Sequence, residues 1–306
     1  MLTDSIMSSI INYTECPVCA SEHIRYCITV RDHSVSQEVF EIWECNDCTL
    51  RFTQNIPDQE SIGPYYKSDN YISHSNTSKG AINSLYHAVR KFTLKQKRGL
   101  INKATRLSTG TLLDIGAGTG AFVSFMKESG WRTTGLEPDD SARKIAREAN
   151  AVSLLPSDGL FELPAESFDA ITMWHVMEHV HALHEYVEKL HHVLKSGGRL
   201  FVAVPNYTSG DAQFYKEFWA AYDVPRHLYH FSPHSMKTLM QQHSFQIESI
   251  KPMWFDSFYV SMLSEKYKSG NGSVIKGGWQ GFRSNLGALS RKENCSSLIY
   301  VIKKKI

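Results

Sequence analysis

The chain has no hydrophobic run approaching the roughly 18 residues needed to cross a bilayer. Its opening, Met1 to Tyr13, holds Asp4 and neither Lys nor Arg. The basic start of a secretory leader is therefore missing, and a cytoplasmic location is the expectation. Net charge is nearly absent, with 33 Lys and Arg against 31 Asp and Glu. That excludes a global polycationic pull toward nucleic acid or anionic lipid and leaves room only for local ones. There is no internal repeat and no long low-complexity tract, which sets aside solenoids and arrays. At 306 residues, 42% of them apolar and 11% aromatic, the chain is too long for a disulfide scaffold and carries enough material for a sizeable core. Its length fits one large α/β domain plus a small module, or two ordinary domains.

Cysteine is scarce, six in all, yet four form the pairs Cys16-Pro-Val-Cys19 and Cys45-Asn-Asp-Cys48. A two-residue gap lets both thiolates reach one tetrahedral ion, and two such knuckles supply four soft ligands for a structural zinc. A redox pair or chance spacing are the other readings. Cys27 and Cys295 read as ordinary small residues. Between the knuckles, Ile28, Val30, Val39, Phe40, Ile42 and Trp43 among polar neighbours predict short strands, hence a zinc ribbon. Turn formers such as Pro57, Gly63 and Pro64 follow. They place a boundary near residue 55, between a ribbon at 1–55 and a main domain at 56–306.

Over 64–107 the spacing of Ile82, Leu85, Val89, Phe92 and Leu100 predicts a helical lead-in. From 70 to 113 there is no acid but eight Lys or Arg, Lys97 among them; a solvated helix face is one reading, an anionic substrate the other. The core, 108–252, then alternates. Strands are expected at Thr111–Ile115, Arg132–Glu137, Val152–Leu155, Phe168–Trp174 and Arg199–Val204, with helices between them. Asp139 or Asp140 is expected to cap one helix, and Ser232-Pro233 to open another. Late strands are expected at Phe245–Lys251 and Ser297–Lys303. The segment 253–296 reads as a cover insertion, helical at first and loosening around Gly270, Gly272, Gly277, Gly278 and Gly281. The β-α-β-α order predicts a doubly wound α/β sheet covered on both faces.

Chemistry concentrates at Leu113-Asp114-Ile115-Gly116-Ala117-Gly118-Thr119-Gly120, whose glycines let backbone approach a ligand. With Ala121 it matches G-x-G-x-x-A, so an NAD(P)-dependent oxidoreductase is one reading. Asp114, before the first glycine, suits an ammonium, and Glu137 at the end of the next strand suits two ribose hydroxyls. Together they fit a cofactor with a ribose, an amine and no phosphate.

That combination resembles the class I S-adenosylmethionine (SAM) dependent methyltransferases, over about Leu107–Pro252. The runs Ser167 to Val180, Leu194-Lys195-Ser196-Gly197-Gly198-Arg199-Leu200 and Val204-Pro205-Asn206 resemble that family's fourth and fifth strands and their turns. The resemblance implies a Rossmann-like methyltransferase sheet in which Asp114, Gly116, Gly118 and Gly120 hold the methionine part and Glu137 the ribose. Asp158, Gly159 and Leu160 would lie along the adenine, although Asp158 also suits a turn cap. The segment Trp219 to Ser232 is similar to ubiquinone-pathway O-methyltransferases, which often carry a cysteine-rich ribbon; zinc-containing sugar C-methyltransferases share the ribbon.

The resemblance implies SAM and a structural Zn²⁺ as cofactors, and a small-molecule or carrier-linked acceptor such as a sugar or quinone-like metabolite, anionic ones included. SAM brings an activated methyl, so the protein must align the acceptor and remove its proton where necessary. His227 is the expected base, with His179 assisting and His230 in reserve. Pro225 and Arg226 fit a fixed turn facing the substrate, and a packed, structural His227 is the competing reading. His175, Glu178 and His179 fall at i, i+3 and i+4. They suit contact with the cofactor, bracing of the turn, or a metal, as an acidic cluster binds in some ubiquinone-type relatives. His181, His184, His191 and His192 read as incidental surface residues. The rival from another class is a zinc-ribbon RNA-binding protein or RNA methyltransferase. Tyr65, Tyr66, Tyr71 and Tyr86 accompany the basic stretch, but no recognised RNA module does.

Overall fold

The cysteine-bearing segment folds as a meander because its strands alternate exposed polar and buried apolar positions. The computed structural model describes residues 9–67 and 81–305, and for 81–89 the backbone alone. The expectations resting on Asp4, Tyr71, and the side chains of Ile82, Leu85, Tyr86 and Val89 lie outside the described residues. Strands β2 (Ile24–Arg31), β3 (Val39–Cys45) and β4 (Arg51–Thr53) pair antiparallel, as the spacing predicts, while β1 (Ile10–Ile11) pairs with β5 (Ile56–Pro57). The fourth strand of the ribbon sheet comes from far along the chain: β10 (Tyr229–His230) pairs with β4 through Tyr229↔Phe52 and His230↔Arg51.

The main sheet has the order β11-β12-β9-β8-β6-β7. Strands β6 (Thr111–Ile115), β7 (Arg132–Leu136), β8 (Phe168–Trp174) and β9 (Leu194–Pro205) are parallel. Strand β12 (Ser297–Lys304) inserts antiparallel between β9 and β11 (Phe245–Pro252). Alternate residues serve opposite faces. Leu112, Ala170, Phe201 and Val301 meet Ile101 of α1 (Ala81–Thr105) and Phe122 and Met126 of α2 (Ala121–Glu128). Leu113, Ile171, Leu200 and Ile302 join Leu183, Val187 and Leu190 of α4 (Leu183–Val193) and Met236 and Leu239 of α6 (Pro233–Gln242). Asp139 caps α3 (Asp140–Asn150), and Ser232 forms a capping box on α6.

Three expectations change. The strand expected at Val152–Leu155 reduces to one bridge, Leu136↔Leu155, because Pro156 follows and cannot donate to a ladder. The strand expected from Arg199 begins at Leu194, with a register shift between Phe168 and Ala170 absorbing Gly197 and Gly198. The glycines of the cover insertion do not loosen it. After α7 (Asp256–Ser269), α8 (Val274–Ser290) is continuous. A Cβ at Gly277 would stand 2.5 Å from the Cα of Met262, and one at Gly281 2.7 Å from the carbonyl of Ser257. Glycine thus lets the two helices touch backbone to backbone.

The histidines expected to be incidental also differ. His181 Nε2 lies 3.1 Å from the carbonyl of Pro57, and His184 Nε2 lies 3.0 Å from that of Pro17. The first braces β5, the partner of β1, and the second ties the first cysteine pair to α4.

Candidate active site

At the carboxyl ends of the parallel strands, three glycines after β6 have positive φ: Gly116 (68°), Gly118 (54°) and Gly120 (74°). Packing accounts for two of them. A Cβ at Gly116 would meet Val176 at 2.3 Å and one at Gly120 would meet Val152 at 2.5 Å, whereas one at Gly118 meets nothing within 4 Å. Gly118 therefore presents bare backbone to open space. Its N–H donates to Glu137 Oε2 (2.8 Å), and Asp139 N–H donates to Glu137 Oε1 (3.1 Å). Burial raises the Glu137 pKa, with these two N–H groups pulling the other way. Asp114, 2% exposed, accepts from Thr172 Oγ1 at 2.6 Å. Burial pushes its carboxyl up to about 7, against the pull of Thr172 and Lys97.

Lys97 belongs to the basic run for which a solvated face and an anionic substrate are the two readings, and it turns inward: its Nζ lies over Trp174, 4.0 Å from the ring centroid, and 5.6 Å from that of Phe122. Burial pushes its ammonium down to about 8, while Asp114 and Asp256 pull it back up. Helical periodicity alone does not reveal which lysine of a basic run turns inward.

Beyond the Leu155 bridge, Asp158 is exposed in a 3₁₀ turn (Ser157–Glu162), Gly159 lies beside Leu155 and Leu136, and Leu160 is fully buried. Asp158 makes no capping bond; the turn opens at Pro156.

On the other side of the crevice, His175 ends β8 with φ 57°. Its Nε2 lies 2.9 Å from Asp256 Oδ2 and its Nδ1 3.3 Å from Glu178 Oε1. Burial opposes its protonation, but the neighbouring Asp256 and Glu178 carboxylates prevail and raise the pKa to about 10. His175 thus braces the turn between two acids, its Nε2 in hydrogen-bond contact with Asp256 and its Nδ1 in ion-pair range of Glu178. Of the triplet at 175, 178 and 179, His175 braces Glu178, while Glu178 and His179 come together with His227. Glu178, His179 and His227 place one ligand atom each within 4.8 Å of the others.

The tautomers follow from the backbone. His179 Nδ1 lies 2.9 Å from the carbonyl of Arg226, and His227 Nδ1 lies 2.8 Å from that of Ala221. A carbonyl only accepts, so both Nδ1 atoms carry hydrogen, and in the neutral ring the lone pair is then on Nε2. Tyr66 Oη is also 3.1 Å from His179 Nδ1. Burial, then the neighbouring His227, pushes His179 down to about 4. The fully buried Glu178 carboxylate has no well-aligned hydrogen bond among the described residues. Burial raises its pKa, but His175 and the other histidines hold it below the usual range.

His230 stands apart. Its Nε2 is 3.1 Å from Thr53 Oγ1 on the ribbon, and burial, then His227 and Arg51, pushes it well below 6.5. Arg226, expected in a fixed turn, points its side chain into the protein. It is 1% exposed, and its guanidinium lies 3.0 Å from Asp32, 2.7 Å from Asp223 and 2.8 Å from the carbonyl of Tyr65. It clamps the ribbon to the turn carrying His227, a role invisible in sequence because Asp32 is so distant. A cavity of about 1020 Å³ lies elsewhere, between Thr49 and β11, and is lined by none of these residues.

In the ribbon, Cys16 and Cys48 sulfurs are 3.5 Å apart, Cys19 and Cys45 sulfurs 3.6 Å, and all four lie within 4.8 Å. A tetrahedral ion with Zn–S bonds near ~2.3 Å separates its sulfurs by about 3.8 Å. Backbone N–H groups of Val18 and Cys48 point at Cys16 and Cys45 sulfurs (3.5 Å each), so the donor set fits such an ion.

Residues 88–250 match the family model described as a methyltransferase domain. The chain is 34% identical over 116 residues to a ubiquinone biosynthesis O-methyltransferase of Xylella fastidiosa, covering 35% of this chain and 47% of that one. It is 29% identical over 119 residues to a demethylmenaquinone methyltransferase of Tropheryma whipplei, covering 38% and 50%. The chain thus spans about half the length of these curated relatives. Among solved structures, the geranyl diphosphate C-methyltransferase of Streptomyces coelicolor A3(2) shares the fold with a TM-score of 0.51, 13% identity, and coverage of 81% of this chain and 90% of that one.

Proposed function

The chain belongs to the methyltransferase domain family, and from that premise we propose that it transfers the methyl group of SAM to a small-molecule or carrier-linked acceptor of quinone or sugar type. The observation that carries this reading is the bare backbone at Gly118 beside the Glu137 carboxylate. In an open α/β sheet the carboxyl ends of the strands form the ligand crevice. SAM supplies a methyl already activated on a sulfonium. Glu137 accepts from the ribose hydroxyls and Asp114 from the ammonium, while Asp158, Gly159 and Leu160 flank the adenine. His227 takes the acceptor's proton at Nε2, its Nδ1–H anchored on Ala221. His179, kept neutral by burial, offers a second acceptor lone pair beside it. The similarity to a ubiquinone biosynthesis O-methyltransferase and a demethylmenaquinone methyltransferase favours a quinone-type ring.

Thermal shift decides the cofactor. S-adenosylhomocysteine should raise Tm and NAD(P) should not; the reverse result refutes the reading. Transfer of label from SAM into a fractionated extract then identifies the acceptor.

A second role for the same cluster is favoured by the buried Glu178 carboxylate, which has no hydrogen-bond partner among the described residues and lies within 4.8 Å of ring nitrogens of His179 and His227. Glu178, His179 and His227 would hold a divalent cation, each histidine oriented through its Nδ1–H by a backbone carbonyl. Activity lost to a chelator and restored by added cation supports that role, and indifference to chelation leaves His227 as the base. For the ribbon we propose a structural zinc on Cys16, Cys19, Cys45 and Cys48, with no open position for catalysis. Such thiols suit a reducing, cytoplasmic setting. Elemental analysis should find about one zinc per chain for this site, lost in Cys45→Ser.

A further inference from the structure

Helix α8 is built inside out. Its small residues Gly277, Gly281, Ser284 and Ala288 are buried, while Ile275 (84% exposed), Trp279 (65%), Phe282 (44%), Leu286 (49%) and Leu289 (66%) face solvent. The exposed five fall at i, i+4, i+7, i+11 and i+14, a single stripe opposite the face that packs on α7. The close contacts at Gly277 and Gly281 explain why the inner face needs no large side chains. Nothing in the helix–helix packing explains the outer one.

Charge identifies the occupant. From residue 266 to 292 there are six bases, Lys266, Lys268, Lys276, Arg283, Arg291 and Lys292, and no acid. All six are exposed; Arg291 pairs with Glu293 at 3.9 Å, while Lys276 and Arg283 border the stripe on its Trp279 side. A two-fold contact between copies would bring the same basic segment against itself, which like charges oppose. An apolar stripe with an interfacial tryptophan and only positive charge beside it matches an anionic bilayer surface. We propose that α8 lies on anionic lipid membranes, its stripe in the headgroup region and its bases on lipid phosphates. The hairpin also touches the site: Asp256 opens α7 and holds His175, and Ser264 Oγ accepts from Ala220 N–H at 2.8 Å. The proposal depends on none of the roles given to the cofactor cradle.

Co-sedimentation of the full chain with vesicles tests it. Vesicles of phosphatidylcholine mixed with phosphatidylglycerol should bind the protein, less so as salt rises, and pure phosphatidylcholine should bind far less. Each basic residue removed near the surface weakens binding about fivefold, so Lys276→Ala with Arg283→Ala should lose about 25-fold. Trp279→Ser with Leu286→Ser should lose at least about tenfold. If that pair fails to fold, tryptophan emission supplies the apolar test: a blue shift on the anionic vesicles, absent in Trp279→Phe. The melting shift with S-adenosylhomocysteine should be unchanged in the variants, which separates failure here from failure of the methyltransferase reading. No binding to the anionic vesicles, or binding unaffected by both double variants, overturns the proposal. So does a dimer in sedimentation that Trp279→Ser dissociates, which would assign the stripe to a second copy.

Discussion

The two walls of the crevice are made differently. The wall we assign to the cofactor is local: Asp114, Gly116, Gly118 and Gly120 lie at the end of one strand, and Glu137 follows its neighbour through the parallel pairing of β6 with β7. The wall we assign to the acceptor is assembled from four separated pieces, Asp32 with Ser34, Tyr65 with Tyr66, His175 to His179, and Asp223 to His227, drawn together by buried Arg226 and the carbonyls it fixes. A local wall tolerates loss of one contact as a loss of affinity. An assembled wall ties geometry, stability and proton transfer into one network, so its single changes reach further.

The sharpest way to break this contrast is His227→Ala. If His227 is the proton acceptor, kcat falls by about 10²–10⁴ while SAM affinity stays near wild type. A normal rate with a lowered Tm would instead make it a packing residue. Next is Arg226→Ala, which strands Asp32 and Asp223 and should cost about 3–5 kcal/mol of stability by urea unfolding. Both carboxyls are held below their usual range in part by Arg226, against the upward push of burial. On the local wall, Glu137→Ala should weaken SAM binding by about 10–150-fold, the value of charged hydrogen bonds, with Tm little changed. An unchanged affinity by calorimetry removes Glu137 from the site.

The smallest effect is a slope. His175 is raised from 6.5 to about 10, so its contacts stabilise fully below pH 6.5 and the contribution fades as pH climbs toward 10. His175→Gln should flatten Tm against pH across that window. An identical slope would mean that Asp256 and Glu178 do not hold an imidazolium.

This contrast also explains what could be read in the sequence. Strands β6 and β8 match their expected bounds residue for residue, because continuous apolar runs ended by glycine or polar turns leave one choice. The cysteine knuckles were legible through spacing, and the Asp139 and Ser232 caps through their chemistry. The acceptor wall was legible only as a set of suspects. His179 and His227 are neighbours, with rings 4.6 Å apart, whereas His175 belongs to Asp256 and His230 to Thr53. Sorting them requires contacts across dozens of residues, and no local pattern encodes those. The glycines of α8 follow a related logic: a residue that breaks an isolated helix is welcome where another backbone presses against it.

One consequence belongs to strand β10. Because two residues of the later chain complete the sheet of the cysteine ribbon, cutting the chain after the ribbon would not release a self-sufficient enzyme. It would bare Tyr229 and His230 as an unpaired edge and uncover Leu228 and Phe231 beside them. A truncated protein of that kind is expected to clump on expression. The ribbon and the 229–230 segment are in this sense one unit, and a graft of this ribbon onto another methyltransferase would have to carry that segment with it.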